Sequence, residues 1–354
     1  MGLKYSYGDN FQLEVQPLEW DKFSGKSTLQ YAVGALLYTP ATNTKIAEKI
    51  IKKELPLLKS IALCLEDSIG DDMVKKAEKD VKNTLMAIND AIEAEEISFN
   101  DLPLIFIRVR SPKQLLLMGK KLGRLIELIA GFIIPKVDNS NVEEYVCNFK
   151  SVLDDFECAN LYIMPIMESV GIMSRQSRLE HLHVINTALK DVSDYVLNIR
   201  VGGTDFSHIY GIRRSINDTI WDIAVVTDCL SDIINYFGGN YIVAAAVWEY
   251  FGTDPYGKWL EGLRREIRLD KLNGCIGKTA IHPNQLSVIQ ESLIVSYEDY
   301  KDATNILGMA QGIVGVQKGC GNNKMNEAKT HINWAKRIVG LAEVYGVSKQ
   351  SGLF

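Results

Sequence analysis

Two carboxylates, Glu168 and Asp205, follow short apolar runs of strand length, and their chemistry suits a metal ion. The two positions are 37 residues apart (205 minus 168), which is about one strand, helix and loop of a βαβ repeat. In parallel α/β proteins ligands bind at the C-terminal ends of strands, so we expect both carboxylates to face one cavity. Proteins hold Mg²⁺ with one or two carboxylates, completed by water and substrate oxygens. The sequence therefore predicts a magnesium site.

Further polar residues and glycines follow other apolar runs: Glu66, Asp67, Arg108, Arg110, Lys136, Gly202 and Gly203. Each has an ordinary structural explanation when taken alone. The acids could cap a helix, the arginines could form ion pairs, the lysine could be solvated, and the glycines could serve a tight turn. Their occurrence at successive strand ends favours a functional interpretation, because a purely structural barrel needs no charge there.

These residues form a chemically coherent set. A metal ion held by Glu168 and Asp205 would act as a Lewis acid on a carbonyl oxygen and stabilise the enolate formed when a carbon–carbon bond breaks. Arg108 would clamp a carboxylate or neutralise the enolate. Glu66 is predicted to be catalytic as well, because it could orient metal-bound water or the arginine.

The remaining members of the set are predicted to bind substrate: Arg110, Lys136, Asp67 and the backbone N–H groups of Gly202 and Gly203. Lys136 also has an alternative role, because a lysine at a strand end is where a Schiff-base aldolase keeps its nucleophile.

The elements that would position this set are eight apolar runs that alternate with helical patterns. Continuous apolar strands indicate burial on both faces, as in a parallel sheet. Eight repeats favour a closed (β/α)₈ TIM barrel over an open doubly wound sheet. The predicted strands are 33–38, 60–65, 104–109, 131–134, 161–167, 196–201, 241–247 and 275–281.

The domain organisation follows from these runs. We expect an irregular N-terminal leader over residues 1–30, a barrel over 31–310 and a C-terminal helical extension over 311–354. The extension combines a glycine-rich bend (Gly312, Gly315, Gly319 and Gly321) with a last amphipathic helix from about Asn326 to Tyr345. No low-complexity linker separates it from the barrel.

Composition excludes several classes of protein. The chain has 354 residues, 47% of them hydrophobic, and a net charge of −5, which argues against nucleic-acid binding. No apolar run approaches the roughly 20 residues of a membrane span, and the N-terminus lacks the apolar block of a signal peptide. The six cysteines show no CxxC pattern, so neither a zinc site nor a disulfide framework is indicated. We expect a cytoplasmic protein.

Six ordered motifs carry a family resemblance: LCLEDSI, IFIRVRSP, FIIPKVD, IMPIMESVGI, IRVGGTDF and GKTAIHPNQLSVI. Together they resemble the family of the citrate lyase β-subunit, malyl-CoA lyase and the HpcH/HpaI aldolases. Within it, the chain is similar to a divergent branch of lyases found with tellurium-resistance and stress gene clusters. The resemblance implies a Mg²⁺-dependent TIM-barrel carbon–carbon lyase that forms a trimer or hexamer. It also implies that Glu168 and Asp205 hold the metal and that Arg108 and Glu66 are catalytic.

The departures from the family pattern concern charge and the substrate. Cys64 stands where the family has its first aspartate, and Arg110 adds a positive charge. The family's catalytic acid, supplied by a neighbouring subunit in some members, falls on Glu327, although a helix-terminal acid is the alternative interpretation. The region after Asp205 differs from the usual acyl-CoA side, which leaves open whether a CoA thioester is used.

These observations predict a carbon–carbon lyase or aldolase that cleaves or forms a bond beside a carbonyl in a small anionic oxo-acid or acyl-thioester. Two alternatives remain open at this stage. One is a metal-free Schiff-base aldolase that uses Lys136. The other is a catalytically silent barrel that serves as a binding or assembly subunit.

Overall fold

The eight predicted strands form one parallel sheet that closes into a barrel. The structure is a computed structural model and describes residues 2–5, 7, 12–156, 160–309, 315–321 and 324–349. The barrel strands, here β1 to β8 in chain order, are Ala35–Pro40, Ser60–Cys64, Leu104–Arg108, Gly131–Ile134, Tyr162–Met167, Asn198–Val201, Ile242–Ala244 and Lys278–Ala280. Neighbours in sequence pair from β1 to β7, and β8 pairs with β1. An Ala245–Lys278 bridge joins β7 to β8, so the predicted TIM barrel is confirmed.

Side-chain alternation along each strand separates the barrel interior from the layer of helices. In β3, Leu104 and Phe106 belong to the interior cluster, whereas Ile105 and Ile107 pack against the surrounding helices. The period of two residues in a strand therefore directs Arg108, which shares a face with Phe106, into the barrel. All five residues of β3 are buried. A cation thus lies inside the barrel only at the strand's C-terminal end.

Helices follow the strands and cover the barrel's outer face. The predicted start of the helix after β3 is confirmed, because Ser111 accepts a hydrogen bond from Gln114 N and Pro112 occupies the first turn. The helix predicted over 169–189 is instead broken near residues 174–177. The α-helices are Lys26–Ala32, Ile46–Ile51, Val74–Glu93, Pro112–Leu122, Val142–Phe156, Val170–Met173, Arg178–Lys190, Gly203–Ile209, Ala224–Phe237, Lys258–Leu272, Leu286–Glu291, Tyr297–Met309 and Ala328–Tyr345.

The leader and the C-terminal extension close the end of the barrel where the strands begin. Strand Val347–Ser348 lies between Leu13–Val15 and Val295–Ser296 in a small sheet. The Tyr345 hydroxyl donates to Tyr31 O at 2.8 Å, and Tyr345 belongs to the interior cluster. The leader is therefore more ordered than its sequence predicted, since it contains one strand and the start of helix Lys26–Ala32.

The predicted glycine-rich bend contains a hairpin, in which Val316–Lys318 pairs with Met325–Glu327. Gly312 lies outside the described residues, whereas Gly315, Gly319 and Gly321 lie within them. The last helix is confirmed as Ala328–Tyr345. Across the described residues, no helix combines the length and hydrophobicity needed to span a membrane.

Candidate active site

One buried guanidinium gathers three carboxylates at the C-terminal mouth of the barrel. Arg108 ends β3, and its Nη2 lies 2.8 Å from Glu66 Oε2 and 3.0 Å from Glu168 Oε1. The same nitrogen lies 3.1 Å from Asp67 Oδ2. Glu66 and Asp67 follow β2, and Glu168 follows β5. The predicted convergence of strand-end residues is therefore seen in the structure, although Arg108 Nη2 is already shared among carboxylates.

Lys136, after β4, provides the second cation of this cluster. Its Nζ lies 2.5 Å from Glu66 Oε1, 2.8 Å from Asp67 Oδ1 and 3.6 Å from Asp205 Oδ1. Its backbone N–H donates to Glu168 Oε1 at 3.2 Å. The φ of Lys136 is 48°, a left-handed conformation that is uncommon outside glycine. This strained backbone turns both the amide and the ammonium toward the carboxylates.

Burial and repulsion perturb the carboxylates. Burial raises the pKa of Glu168 to about 8, with repulsion from Asp205 adding to it and the attraction of Arg108 opposing it. Burial also raises the pKa of Glu66. Partial burial would raise the pKa of Asp67, but the hydrogen bonds of Asp67 to Glu66 and Lys136 outweigh this effect and lower the pKa to about 2. Strongly perturbed carboxylates in a cleft are typical of functional sites.

The residues present fit a divalent cation. Among the described residues, the four carboxylates Glu66, Asp67, Glu168 and Asp205 form ion pairs with two cations, Arg108 and Lys136, so negative charge is in excess when all four are ionised. All the donors are hard carboxylate oxygens, as Mg²⁺ requires. Glu168 and Asp205 are the pair that would hold it, since their mutual repulsion is what a cation between them relieves.

Gly202 and Gly203 support this arrangement by close packing. A Cβ on Gly202 would lie 2.3 Å from Glu168 Oε2, and one on Gly203 would lie 2.9 Å from the Ala246 Cβ. The Gly202 N–H donates to Met167 O at 3.2 Å, so it is not free for a substrate anion as predicted. Asp205 lies in the first turn of helix Gly203–Ile209, beyond the end of β6.

A cavity of about 480 Å³ opens beside this cluster. Of the predicted site residues, Asp67, Arg108, Glu168, Gly202, Gly203 and Asp205 line it. A neighbouring cavity of about 700 Å³ is lined by Lys136 and shares Asp67, Glu168 and Asp205. The proposed metal ligands therefore stand between two spaces that a substrate can enter.

Two predicted site residues lie apart from the cluster. Arg110 donates to Asp71 Oδ1 at 2.8 Å and to Ile69 O at 2.9 Å, and it does not line either cavity. The predicted substrate contact of Arg110 is therefore not seen, because β3 ends at Arg108 and the Arg110 side chain, beyond the strand, is engaged by Asp71 and Ile69 O. Glu327 is the N-terminal cap residue of the last helix, and its Oε2 accepts from Thr330 at 3.1 Å.

The extension that carries Glu327 packs at the opposite end of the barrel. Arg337, on the last helix, donates to Gly274 O and Gly238 O, in the loops that enter β8 and β7. Glu327 is absent from the residues that line the two mouth cavities. Any catalytic contact of Glu327 would therefore have to be made with a neighbouring subunit.

The sequence also contains cavity residues that the prediction missed: Tyr38, Arg200 and Thr279 line the 480 Å³ cavity. The signal for Arg200 was available, because it lies two residues before Gly202 and therefore on the same face of β6. A charged residue inside a predicted barrel strand was the anomaly. For Tyr38 and Thr279, nothing in their sequence context differs from ordinary strand residues.

A closed parallel barrel with acids and bases gathered at its C-terminal mouth defines the class of TIM-barrel enzymes. The family described as C–C bond lyase of the TIM-barrel fold matches residues 27–347. The chain therefore belongs to this family of carbon–carbon lyases. Comparison with curated proteins finds no match.

A similar solved structure supports the fold. CitE of Mycobacterium tuberculosis, in complex with magnesium, acetoacetate and coenzyme A, is 16% identical with a TM-score of 0.54, covering 88% of this chain and 99% of its own. The citrate lyase β-subunit of M. tuberculosis with oxaloacetate and magnesium is 16% identical with a TM-score of 0.48, covering 75% and 98%. RipC of Yersinia pestis is 17% identical with a TM-score of 0.47, covering 74% and 95%.

Proposed function

We propose that the protein is a Mg²⁺-dependent lyase or aldolase that acts on a small anionic oxo-acid or acyl-thioester through an enolate. The observation that carries the proposal is the pair Glu168 and Asp205 within a cluster whose negative charge exceeds its positive charge. Magnesium in the similar CitE complex supports the choice of metal. When bound, Mg²⁺ supplies Lewis-acid chemistry to a substrate carbonyl.

The chain's own residues hold the side chains of the site in position. Arg108 fixes the carboxylate of Glu168 and places positive charge beside the cavity, where it opposes the charge that develops on an enolate. Glu66 and Asp67 hold Arg108 and Lys136 in place. Arg108 thus acts as an electrostatic support, and a bidentate clamp on substrate would require it to release Nη2 from its carboxylates.

The Schiff-base alternative is disfavoured by the surroundings of Lys136. Burial alone would lower the pKa of Lys136, but hydrogen bonds to Asp67 and Glu66 outweigh it and raise the pKa. An amine must lose its proton before it attacks a carbonyl, and this ammonium is held protonated by two carboxylates. Lys136 is therefore proposed to bind anions or to hold the cluster in place.

The proposal extends to assembly and to the thioester question. We infer a trimer or hexamer in which Glu327 reaches a neighbouring subunit's barrel mouth, because the helix that carries Glu327 packs at the end of its own barrel opposite the mouth. Coenzyme A in the CitE complex keeps a CoA thioester among the candidate substrates. Sedimentation velocity measures the oligomeric state, and a monomer at micromolar concentration would end this part of the proposal.

Calorimetric titration with Mg²⁺ tests the metal site directly. Wild-type protein should bind one ion, and Glu168→Gln and Asp205→Asn should each lose most of this affinity while the melting temperature stays nearly unchanged. A second acidic cluster, formed by Glu298, Asp302 and Cys320, provides the control. Glu298→Gln should bind Mg²⁺ as the wild type does, and equal losses in all three variants would refute the assignment.

Enolate formation is tested without knowing the substrate. In D₂O, the methyl protons of pyruvate should exchange for deuterium in the presence of protein and Mg²⁺, as followed by NMR. Exchange should stop in Glu168→Gln and after chelation of the metal. Exchange that persists without metal would favour the Schiff-base alternative, and its absence from every oxo-acid tried would favour a silent barrel.

A further inference from the structure

Arg200 is a buried cation to which the described residues supply no carboxylate. Its Nη2 donates to Thr279 Oγ1 at 2.7 Å and its Nη1 to Asn198 Oδ1 at 3.3 Å, and both acceptors are neutral. Four other cationic side chains are buried among the described residues, and each has a carboxylate within 4.0 Å: Arg108, Arg178, Arg214 and Lys278. Arg200 is the exception within this set.

An unpaired buried charge is costly, and proteins retain one where it has a use. Arg200 is only 1% exposed, and its Nε makes no hydrogen bond among the described residues. The hydroxyl of Tyr38 is buried beside the Arg200 guanidinium and interacts with it, although the contact falls short of a well-formed hydrogen bond. Both side chains line the 480 Å³ cavity. Arg200 and Tyr38 thus face the same space from β6 and β1, and neither supplies the other with a negative charge.

The register of the strands gives the depth of Arg200 relative to the proposed metal ligands. Met167 pairs with Val201, so Arg200 stands opposite Ile166, two residues below Glu168. At about 3.3 Å per residue, its Cα lies roughly 6–7 Å deeper in the barrel than the Glu168 level. A molecule held at Glu168 and Asp205 therefore reaches Arg200 with its opposite end if it is a few carbon atoms long.

We propose that Arg200 binds a second carboxylate of the substrate, so that the substrate is a 2-oxo acid with two carboxylate groups. This inference rests on the proposed function and names the substrate class of the same site. A guanidinium can take a carboxylate bidentately, and doing so here supplies the countercharge that the chain itself does not provide. The neutral partners Thr279 and Asn198 orient the guanidinium without neutralising it.

Two probes with carbon chains of equal length test the proposal. The 2-oxoglutarate dianion and 2-oxopentanoate share length and a 2-oxo acid head, and they differ in a terminal carboxylate against a methyl group. In calorimetric titrations with saturating Mg²⁺, the wild type should bind 2-oxoglutarate roughly 10–100-fold more tightly, the range expected for a charge-assisted hydrogen bond. Arg200→Met should lose this preference while keeping its affinity for 2-oxopentanoate and Mg²⁺.

Arg213 provides a matched control, because it lines the same cavity but its side chain is 78% exposed. Arg213→Met should retain the preference. The melting temperature of Arg200→Met should not fall, since the substitution removes an uncompensated buried charge. A lower melting temperature together with an unchanged preference would overturn the proposal and leave Arg200 a structural residue.

A second variant covers the case in which Arg200→Met does not fold. Thr279→Val removes the hydroxyl that orients Nη2 and should reduce the preference severalfold, and an undiminished preference would overturn the proposal. If the wild type binds no Mg²⁺, the proposed function fails separately. The preference is then measured without metal, where dependence on Arg200 supports the inference and independence from it refutes the inference.

Discussion

Substituting Gly202 by alanine tests whether the position of Glu168 controls metal binding. The added Cβ would lie 2.3 Å from Glu168 Oε2 and 2.4 Å from its Cβ, whereas real Cβ contacts essentially never fall below 3.0 Å. Glu168 or the backbone must therefore shift by roughly 0.6–0.7 Å, which is larger than the ~0.2 Å tolerance of a metal–ligand distance. The φ of Gly202 is −100°, so alanine meets no left-handed strain there.

The expected result has two parts. Magnesium affinity should fall roughly 10–100-fold, the effect typical of disturbing the residues that orient metal ligands. The free energy of unfolding should fall by about 1–3 kcal/mol, the usual cost of overpacking a buried site. Calorimetric titration measures the first quantity, and chemical unfolding without metal measures the second.

Gly119→Ala is the matched control for this experiment. Its Cβ would lie 2.6 Å from Val152 Cγ2, a comparable overlap between two helices outside both cavities. It should lower stability by a similar amount and leave Mg²⁺ affinity unchanged. Wild-type affinity in Gly202→Ala would refute the steric argument, and equal affinity losses in both variants would mean that the effect is global.

Three further predictions address individual side chains. Arg108→Lys should lose activity and lower the free energy of unfolding by about 1.5–3 kcal/mol, because lysine cannot span the carboxylates held by Nη2. Kinetics and chemical unfolding measure the two effects, and an unchanged free energy of unfolding would contradict this role. Borohydride with pyruvate should trap no adduct on Lys136, and mass spectrometry showing one would restore the imine route. Glu327→Gln and Glu168→Gln should each be inactive, yet mixed oligomers should recover partial activity, whereas no recovery would leave Glu327 a helix cap.

The sequence predicted most of the barrel because several of its strands are largely apolar runs that are buried on both faces. Glu66, Arg108 and Glu168 were predicted to meet at the mouth because parallel strands bring their C-terminal ends to one edge. The hydrogen bond of the Gly202 N–H and the ion pair of Arg110 with Asp71 depend on local loop geometry, which residue spacing does not encode.

Arg200 was missed for a different reason. The predicted closed barrel already makes that face of β6 an interior one, but residue spacing does not show which distant side chains surround an arginine there. The leader was underestimated because its strand and helix are stabilised by residues more than 300 positions away. Short elements held by distant partners leave little periodic pattern in their own sequence.

The small sheet at the base of the barrel also constrains the order of folding. Strand Val347–Ser348 forms its centre, between Leu13–Val15 and Val295–Ser296. During synthesis, the leader strand therefore cannot pair with Val347–Ser348 until almost the entire chain has been made. Closing a loop of this length is entropically costly and late, as for other contacts of high sequence separation. The nascent barrel thus remains unsealed at its base until the last helix has left the ribosome.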